Sequence, residues 1–340
     1  MIPRALFIGI GFYDYEASIV GGLKKKGFAV DAFLDRPNVL VRGPLAGVLR
    51  RWPRLSAHLS AWHERRIAAA TKAVRYDKVL VIKAADLSVG FLEQLRRSHP
   101  ESEFVLYLWD SLDRYPRIAQ RLHFFDRRLT FDRRDAVTAG LTLRPLFHRD
   151  DGSVPATPRD ARRYDVSFVG WLHFDRLRLV RAACADAERQ GLTTYVYLFT
   201  GVATWLRLFL RGAARDVHMR PLSHRRAMAI NAQSRAILDF PHPQQSGLTM
   251  RAIEAVGARN KLITTAAEVL AYDFYAPGRV SVVSGVDPRV DAAFIRAAAP
   301  PLDESIRARY SLDRWLSEVL ATADIEREAS TSTAPSSDAH

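Results

Sequence analysis

The sequence predicts an α/β protein made of two successive βα domains, each with a parallel sheet. The chain has 340 residues, which is about two domains of ordinary size. Short apolar runs alternate with stretches of helical periodicity, a pattern typical of parallel βαβ units. A polar stretch with two prolines and a glycine interrupts this pattern, which then restarts. We therefore expect domains at 1–150 and 164–309, joined by a linker at 151–163.

The first domain is expected to contain four clear strands and two shorter ones. The strands are placed at Arg4–Gly11, Phe28–Leu34, Tyr76–Lys83 and Glu103–Trp109, with shorter candidates at Arg127–Phe131 and Thr142–Phe147. Helices are expected over Tyr15–Lys26, where Gly27 suits the C-cap, and over Leu87–Arg97. Since strands and helices alternate, we expect right-handed crossovers and a parallel sheet.

The second domain repeats the arrangement. Strands are placed at Tyr164–Val169, Thr194–Phe199, Arg235–Phe240, Lys261–Thr264 and Val280–Val283, and helices at Arg176–Gln190, Ser223–Gln233 and Ser246–Gly257. A closing helix within 310–328 follows. The Ser/Thr/Ala-rich segment 329–340 is expected to be a disordered tail. Ligands of such sheets bind at the carboxyl ends of the strands, so the functional residues are sought there.

Net charge, cysteine count and the length of apolar runs limit the classes of function that the chain can have. The formal net charge of +13 predicts an anionic partner, which is a nucleic acid, a phosphorylated small molecule or an acidic membrane surface. The single cysteine, Cys184, excludes an internal disulfide and a cysteine-based metal centre within one chain. No apolar run approaches the roughly 20 residues that span a membrane, and no signal peptide is recognised. These features predict a cytoplasmic protein.

The region after the strand Arg235–Phe240 carries the first candidate site. Ser246 and Gly247 open the expected helix, whose unpaired amides and positive dipole end form an anion site. Thr249 adds a hydroxyl donor, Arg251 could neutralise phosphate charge, and Glu254 could accept hydrogen bonds from sugar hydroxyls. The structural alternative is an ordinary helix that Ser246 caps.

The first strand-to-helix turn of the second domain is the next candidate. Gly170 allows close approach of the backbone to a ligand, and His173 and Arg176 could reach a diphosphate. The alternative for His173 is a solvated loop histidine.

Two features of the first domain are candidates at the ends of its strands. Gly9 and Gly11 allow a phosphate or sugar to approach, or else form a plain tight turn. Asp14 stands where a dinucleotide-binding fingerprint would have its third glycine, which argues against a dehydrogenase. Asp110 could act as a general base or bind acceptor hydroxyls, and the alternative is capping of the next helix.

Several motifs are missing from the sequence. There is no Asp-x-Asp pair, no P-loop, no Gly-x-Ser-x-Gly elbow and no His/Asp/Glu cluster with metal-ligand spacing. We therefore expect no metal site and no cofactor.

Basic residues interleaved with apolar ones form two segments. Segment 42–75 holds eight basic residues and one acid, with leucines and tryptophans at roughly helical spacing. Segment 205–211 has the sequence WLRLFLR. Each could contact an anionic membrane surface or phosphate-bearing lipid. The alternative is a pair of ordinary helices with solvated arginines.

Four segments carry a resemblance to a known family. They are YDVSFVGWLHFDR (Tyr164–Arg176), QQSGLTMRAIEAVGARNKLITT (Gln244–Thr265), LYLWDSLDR (Leu106–Arg114) and FDRRLTFDRRDAVTAGLTLRPLFH (Phe125–His148). Over nearly its whole length the chain resembles GT-B glycosyltransferases. It is most similar to CgeB-like transferases and to the bacterial transferases of lipopolysaccharide, capsular polysaccharide and exopolysaccharide biosynthesis.

The resemblance implies two Rossmann-like domains facing each other across a cleft. It implies a metal-independent, hexosyltransferase-like enzyme whose nucleotide-sugar donor binds the second domain. A cell-surface glycan or lipid-linked acceptor would bind the first domain, at the inner face of the cytoplasmic membrane. Glu254 would contact the ribose, and the phosphates would be lined by Ser246, Gly247, Leu248 and Thr249.

One departure from the family leaves the stereochemistry open. Many retaining members carry a second glutamate about eight residues before the ribose acid, where this chain has Gln245 or Ser246. Two other functions also remain open. One is a sugar-nucleotide epimerase of the same fold. The other is a non-catalytic, basic nucleic-acid-binding protein, although no recognised binding motif supports it and no nucleic-acid partner is expected.

Overall fold

The structure, a computed structural model, describes residues 2–11, 15–41, 49, 51–149, 157–173 and 175–321. The chain divides into two compact units. The first comprises Met1–Pro145 and Leu312–His340, and the second comprises Leu146–Ser311. Each unit has a six-stranded sheet in which every pair of neighbouring strands is parallel.

The first unit builds its sheet in the order β2-β1-β3-β4-β5-β6. Its elements are β1 (Arg4–Gly9), α1 (Tyr15–Lys25), β2 (Ala29–Leu34), α2 (Asn38–Val41), α3 (Pro53–Thr71), β3 (Lys78–Ile82), α4 (Val89–Ser98), β4 (Glu103–Leu108), a 3-10 helix (Pro116–Phe124), β5 (Arg127–Thr130), α5 (Arg133–Thr138) and β6 (Thr142–Leu143). The central strands β1, β3 and β4 are apolar and buried on both faces, as strands between two helical layers must be.

The second unit has the strand order β12-β11-β10-β7-β8-β9. Its elements are a 3-10 helix (Arg159–Ala161), β7 (Tyr164–Trp171), α6 (Arg176–Arg189), β8 (Thr194–Phe199), α7 (Val202–Leu210), β9 (Val217–His218), α8 (His224–Ala232), β10 (Ser234–Asp239), α9 (Met250–Gly257), β11 (Lys261–Thr264), a 3-10 helix (Ala267–Ala271), β12 (Val280–Val282), α10 (Ala292–Arg296) and α11 (Glu304–Arg309). Counted along this unit the order is 3-2-1-4-5-6, the order of dinucleotide-binding folds.

The helix that was expected to close the chain, α12 (Leu312–Leu320), packs on the first unit. Trp315 is fully buried, with its ring edge-to-face on Tyr107 at 4.7 Å between centroids. Glu318 forms an ion pair with Arg144 at 2.6 Å. A side chain at Gly22 on α1 would collide with Leu316, so the glycine lets the two helices pack closely.

The predicted α/β class with two parallel sheets is confirmed. Residues 151–156, 322–328 and the expected tail 329–340 lie outside the described residues, and the expected domain limits stay predictions. The strand expected over Thr142–Phe147 is only Thr142–Leu143, since the chain then leaves the sheet edge. No helix among the described ranges is long and apolar enough to cross a membrane.

Each sheet has one point where the strand order reverses. In the second unit this point lies between β7 and β10, and in the first it lies between β1 and β3. Crossover connections leave in opposite directions there, which opens a crevice at the carboxyl ends of the two strands. These two edges are therefore the places to examine for ligand-binding residues.

Candidate functional site

The sheet of the second unit brings the two main sequence candidates to one edge. β7 and β10 are hydrogen-bonded neighbours, with Ile237 beside Ser167. Gly170 lies at the end of β7, His173 and Arg176 follow that strand, and the segment that ends at Glu254 follows β10. Residues about 80 positions apart in sequence therefore meet at the switch point.

Arg251 is anchored within the unit. Its Nη1 donates to Oδ1 of Asp239 at 2.8 Å and its Nε donates to the carbonyl of Val169 at 3.1 Å. The guanidinium also lies over the ring of Phe168, 4.3 Å from its centroid. Asp239 is fully buried. Arg251 thus neutralises a buried carboxylate and joins the ends of β7 and β10, which is a structural role that the sequence did not predict.

Gly170 makes room for this arginine. A Cβ at position 170 would collide with Nη2 of Arg251. The predicted reason for the glycine was close approach of the backbone to a ligand. The structure gives a different reason, because the space beside Gly170 is filled by the guanidinium.

Arg176 makes a second connection between the same strands. Its Nε and Nη2 donate to the carbonyl of Phe240, at 3.1 and 2.7 Å, and its Nη1 donates to the carbonyl of Trp171 at 2.8 Å. These bonds connect the end of β7 to the segment that follows β10. The predicted contact of Arg176 with a diphosphate stays a prediction.

Thr249, not Ser246, caps the helix. The expected start at Ser246 is wrong: α9 begins at Met250, and the hydroxyl of Thr249 accepts from the amide of Ala252 at 3.2 Å. The same hydroxyl donates to Oδ1 of Asp239 at 2.7 Å. The hydroxyl proton is therefore donated to a buried carboxylate, so Thr249 can donate to a phosphate only through its backbone amide.

The loop that precedes α9 is packed against the unit. Ser246, Gly247 and Leu248 are all buried, and the side-chain amide of Gln245 donates to the carbonyl of Gly247 at 2.9 Å. The predicted phosphate-lining residues thus lie at the N-terminal side of a capped helix, where the helix dipole favours an anion.

Glu254 lies one turn into α9 and is 9% exposed. Its Oε1 is 3.9 Å from Nδ1 of His224, the first residue of α8. This pair could not be predicted from the sequence, because 30 positions separate the two residues. Carboxylate oxygens are acceptors to which hydroxyl groups can donate.

A second histidine at this edge was also missed. His242 follows β10 by a short loop and is buried, and its Nδ1 accepts a hydrogen bond from the amide of Gln244 at 3.1 Å. In the neutral ring the proton is therefore on Nε2. His242 lies three residues after the end of β10, at the switch point, and this position is the signal that could have identified it.

An exposed aromatic surface adjoins these groups. Trp171, the last residue of β7, is 41% exposed, and it stacks on His173 at 5.7 Å between centroids and 24° between planes. Its edge-to-face contact with Phe199 fixes the ring at 4.9 Å. His173 is thus part of a stacked pair. Such a pair offers a flat face on which a base or a sugar ring can pack.

In the first unit, Asp110 is held between two cations. One carboxylate oxygen lies 2.9 Å from Nζ of Lys83 and the other lies 3.0 Å from Nη1 of Arg114. Asp110 does not cap a helix, since the chain continues through turns to the 3-10 helix Pro116–Phe124. Its predicted catalytic role stays a prediction.

The backbone at Lys83 has an uncommon conformation. Lys83 and Ala84 both have positive φ, 71° and 57°, and the amide of Ala84 donates to the carbonyl of Ile82 at 2.9 Å. Non-glycine residues adopt such angles at a cost, and they cluster at functional sites. Lys83 is buried at the switch point of the first sheet, and this conformation places its ammonium on Asp110 and over the ring of Tyr115 at 3.5 Å.

The glycines at the end of β1 serve packing. A Cβ at Gly9 would lie 2.7 Å from Cγ of Glu16, and one at Gly11, where φ is 75°, would collide with Val41. These contacts agree with the tight-turn alternative. Residues 12–14, which follow, lie outside the described residues.

Asp35, just after β2, is a buried acid beside this turn. Its amide donates to the carbonyl of Gly9 at 2.7 Å, and its carboxyl is fully buried. Burial raises the pKa of Asp35 to about 7, although the charges of Arg36 and Lys83 oppose this and that of Asp86 adds to it. The acid therefore changes charge near neutral pH.

We expect Asp35→Asn to reduce the pH dependence of stability. The folded-state pKa of about 7 lies above the ordinary value of 3.8, so the folded chain binds this proton more tightly than the unfolded chain does. That stability is present below pH 4 and is lost as pH rises through 7. Melting temperatures from pH 5 to 8 should fall for the wild type and fall less for the variant. Asp135, whose pKa burial raises to about 6, changes in the same direction and accounts for part of the remaining slope. Equal slopes for wild type and variant would contradict the assignment.

The part of the chain that the structure describes contains no group of three or more His, Cys, Asp or Glu side chains that could hold a metal ion.

Solved structures show what the architecture is similar to. No protein-family model matches the chain, and no curated protein matches it in sequence. The UDP-GlcNAc 2-epimerase of Methanocaldococcus jannaschii matches with a TM-score of 0.55 and 10% identity over 94% of this chain and 100% of that chain. A trehalose-6-phosphate synthase matches with a TM-score of 0.53 and 12% identity over 94% and 99%. The N-terminal domain of the Candida albicans trehalose-6-phosphate phosphatase matches with a TM-score of 0.55 and 10% identity over 98% of both.

The chain has the GT-B fold. The predicted fold class is thereby confirmed. At 10–12% identity these matches concern architecture alone, and the narrower resemblance to CgeB-like and polysaccharide-biosynthesis transferases stays a prediction.

Proposed function

We propose that the chain is a glycosyltransferase that moves a sugar from a nucleotide-sugar donor to a hydroxyl group of a glycan or lipid-linked acceptor. The observation that carries the proposal is the edge of the second sheet, where Trp171 ends β7, and the start of α9 and Glu254 follow the neighbouring strand β10 at the switch point. An anion site, a hydroxyl acceptor and a flat aromatic face are what a sugar nucleotide needs.

In this proposal the diphosphate lies at the N-terminal side of α9. The dipole of the helix and the loop amides from Ser246 to Thr249 stabilise the negative charge that develops on the leaving nucleoside diphosphate. Nε2 of His242 carries the proton in the neutral ring and is suited to donate to a phosphate oxygen. These groups replace a metal ion, so the reaction needs no cofactor.

Glu254 then binds the ribose. Its carboxylate accepts hydrogen bonds from the ribose hydroxyl groups, while His224 fixes the orientation of the carboxylate from the other side. The ring of Trp171 packs on the base or the sugar. Arg251 and Arg176 act indirectly, by holding the two strand ends in place.

The acceptor side belongs to the first unit. Asp110 accepts a hydrogen bond from the attacking hydroxyl and takes its proton as the new glycosidic bond forms. The paired cations Lys83 and Arg114 hold both carboxylate oxygens in place. In the finer form of the proposal the acceptor is a lipopolysaccharide core or another bacterial surface glycan, reached through membrane contacts at 42–75 and 205–211.

A thermal-shift series with nucleoside diphosphates tests the donor site. A ligand that binds only the folded chain at 100 times its Kd adds about 2.7 kcal/mol to stability, which is a shift of several degrees. UDP is the first nucleotide to try, because the M. jannaschii relative was solved with UDP-GlcNAc and UDP. The matching nucleosides, which lack the phosphates but keep the ribose and base, serve as controls and should give a much smaller shift at the same concentration. No shift with any nucleoside diphosphate would overturn the proposal.

A sugar-nucleotide epimerase is the second candidate, since an enzyme of that name shares the fold. Product analysis without acceptor separates the two activities. A transferase leaves the donor sugar unchanged apart from slow hydrolysis, whereas an epimerase converts it to a second sugar nucleotide. The nucleic-acid-binding alternative predicts tight binding that weakens steeply with salt and needs no nucleotide.

A further inference from the structure

Helix α7 presents a continuous apolar stripe on the surface of the second unit. Four side chains are largely exposed: Val202 at 66%, Leu206 at 48%, Phe209 at 56% and Leu210 at 76%. Their spacing of i, i+4, i+7 and i+8 places them on one face of the helix. Only Trp205 and Leu208 of this helix are packed against the core of the unit. A surface helix ordinarily faces the solvent with polar residues, so this stripe needs an explanation.

The flank of the stripe is basic. Arg207 and Arg211 are exposed beside it and Arg215 follows, while the sequence from 201 to 215 contains no acidic residue. The first acid, Asp216, lies 3.5 Å from Arg215. The helix therefore combines a wide apolar face with excess positive charge, which suits a surface that is apolar beneath and negatively charged at its rim.

The basic segment of the first unit exposes a smaller apolar face. Trp52, Leu55 and Trp62 are exposed at 64%, 40% and 49%, from the N-cap to the middle of α3, and their spacing of i, i+3 and i+10 places them near one face of the helix. The ring of Trp62 is also covered by the guanidinium of Arg66 at 4.8 Å. Of segment 42–50, only Leu49 is among the described residues. Among the described residues, α7 therefore has the wider and less covered apolar face of the two segments.

We propose that the outer face of α7 inserts into the interfacial layer of an anionic lipid bilayer. The four apolar side chains enter the boundary between headgroups and acyl chains, and the arginines extend to the lipid phosphates. The helix lies parallel to the membrane plane and does not cross it. Binding follows from buried apolar area together with attraction to anionic lipid, and neither contribution alone is sufficient.

Two other occupants fit the surface less well. A second copy packed by twofold symmetry would bring the same patch against itself, which places Arg207 and Arg211 of one copy near those of the other. A nucleic acid would engage the arginines but would leave the apolar stripe in water. A bilayer satisfies both parts of the surface.

Vesicle sedimentation tests the proposal without donor or acceptor, so its result is independent of sugar transfer. The full chain is mixed with vesicles of phosphatidylcholine alone or of phosphatidylcholine with phosphatidylglycerol. We expect binding to the anionic vesicles, and a loss of about tenfold or more in affinity for the variant Phe209→Ser with Leu210→Ser. The matched control is Leu270→Ser with Val286→Ser, which removes two comparably exposed apolar side chains of the same unit, at 52% and 76%. It should bind like the wild type.

The charge variant Arg207→Glu with Arg211→Glu should lose binding to the anionic vesicles as well. All these side chains are exposed, so melting temperatures should stay within a degree or so of the wild type. Absence of vesicle binding by the wild type, or equal losses in the α7 variant and its control, would overturn the proposal. So would a dimer in gel filtration that the Phe209 and Leu210 substitutions dissociate, or duplex DNA binding in place of vesicle binding.

Discussion

Glu254→Gln is expected to weaken the use of nucleotide-sugar donor by about 10-fold to 100-fold while leaving the fold intact. A hydrogen bond to a charged group contributes about 1.5–3 kcal/mol, and the ribose offers two hydroxyl donors. Glutamine has the same size and fills the same space beside His224, but one of its two acceptor oxygens becomes a donor. The loss should appear mainly as a higher KM for the donor, because the ribose contact is the same in ground state and transition state.

The matched control for this substitution is Glu188→Gln. Glu188 is an exposed acid of the same unit whose Oε1 accepts from the hydroxyl of Thr194 at 2.6 Å, on the helix that follows β7. Initial rates at several donor concentrations, together with titration of UDP binding, give the two variants' KM and Kd. The ribose assignment fails if both variants keep wild-type affinity, or if Glu254→Gln lowers the melting temperature as much as it lowers binding.

If an Arg251 variant loses activity, that loss does not show that Arg251 contacts the donor. The sequence placed Arg251 and Glu254 together as ligand contacts, three positions apart on one helix. The structure shows that Arg251 pairs with the buried Asp239, so its removal disturbs the sheet edge before any ligand is involved. Activity measurements on Arg251 variants therefore need a stability measurement beside them.

The fold was readable from the sequence because its signals are local. Runs such as RALFIG and KVLVI are buried on both faces, and only a strand between two helical layers needs such a run. Ser88 and Ser223 are predictable caps for the helices that they precede. The alternation of these elements is enough to predict two parallel sheets.

The candidate site could be predicted only in part, because its contacts join residues that are far apart in the sequence. That residues after β7 and β10 would cluster follows from the topology, but their partners do not. Asp239 reads in sequence as the end of an apolar strand. Its burial and its three side-chain donors, Thr249, Arg251 and Thr264, appear only when the strands are paired. The start of α9 was misplaced for the same reason. Ser246 and Thr249 are both good caps in sequence, and the bond of Thr249 to Asp239 favours the later one.

The largest stability effect is expected at the pair formed by Arg251 and Gly170. Arg251→Ala leaves the carboxylate of Asp239 buried without its cation, and loss of one partner of a buried pair costs about 3–5 kcal/mol. Gly170→Ala forces a methyl group against the guanidinium, and overpacking of this kind costs about 1–3 kcal/mol. Both substitutions should lower the melting temperature of the second unit. The control is Gly285→Ala in the same unit, where an added Cβ meets no atom within 4 Å.

The double variant Gly170→Ala with Arg251→Ala tests whether position 170 must be glycine only because Arg251 occupies the space beside it. If the space beside Gly170 matters only because Arg251 fills it, Gly170→Ala should cost little once the guanidinium is gone. The two effects should then fall short of additivity by about 1 kcal/mol or more, as is typical of residues in direct contact. Thermal or urea unfolding of the four proteins measures this coupling. Strict additivity would mean that Gly170 is required for something other than Arg251, and the ring of Phe168, whose Cε1 lies 3.3 Å from the same Cβ position, is the neighbour to test next.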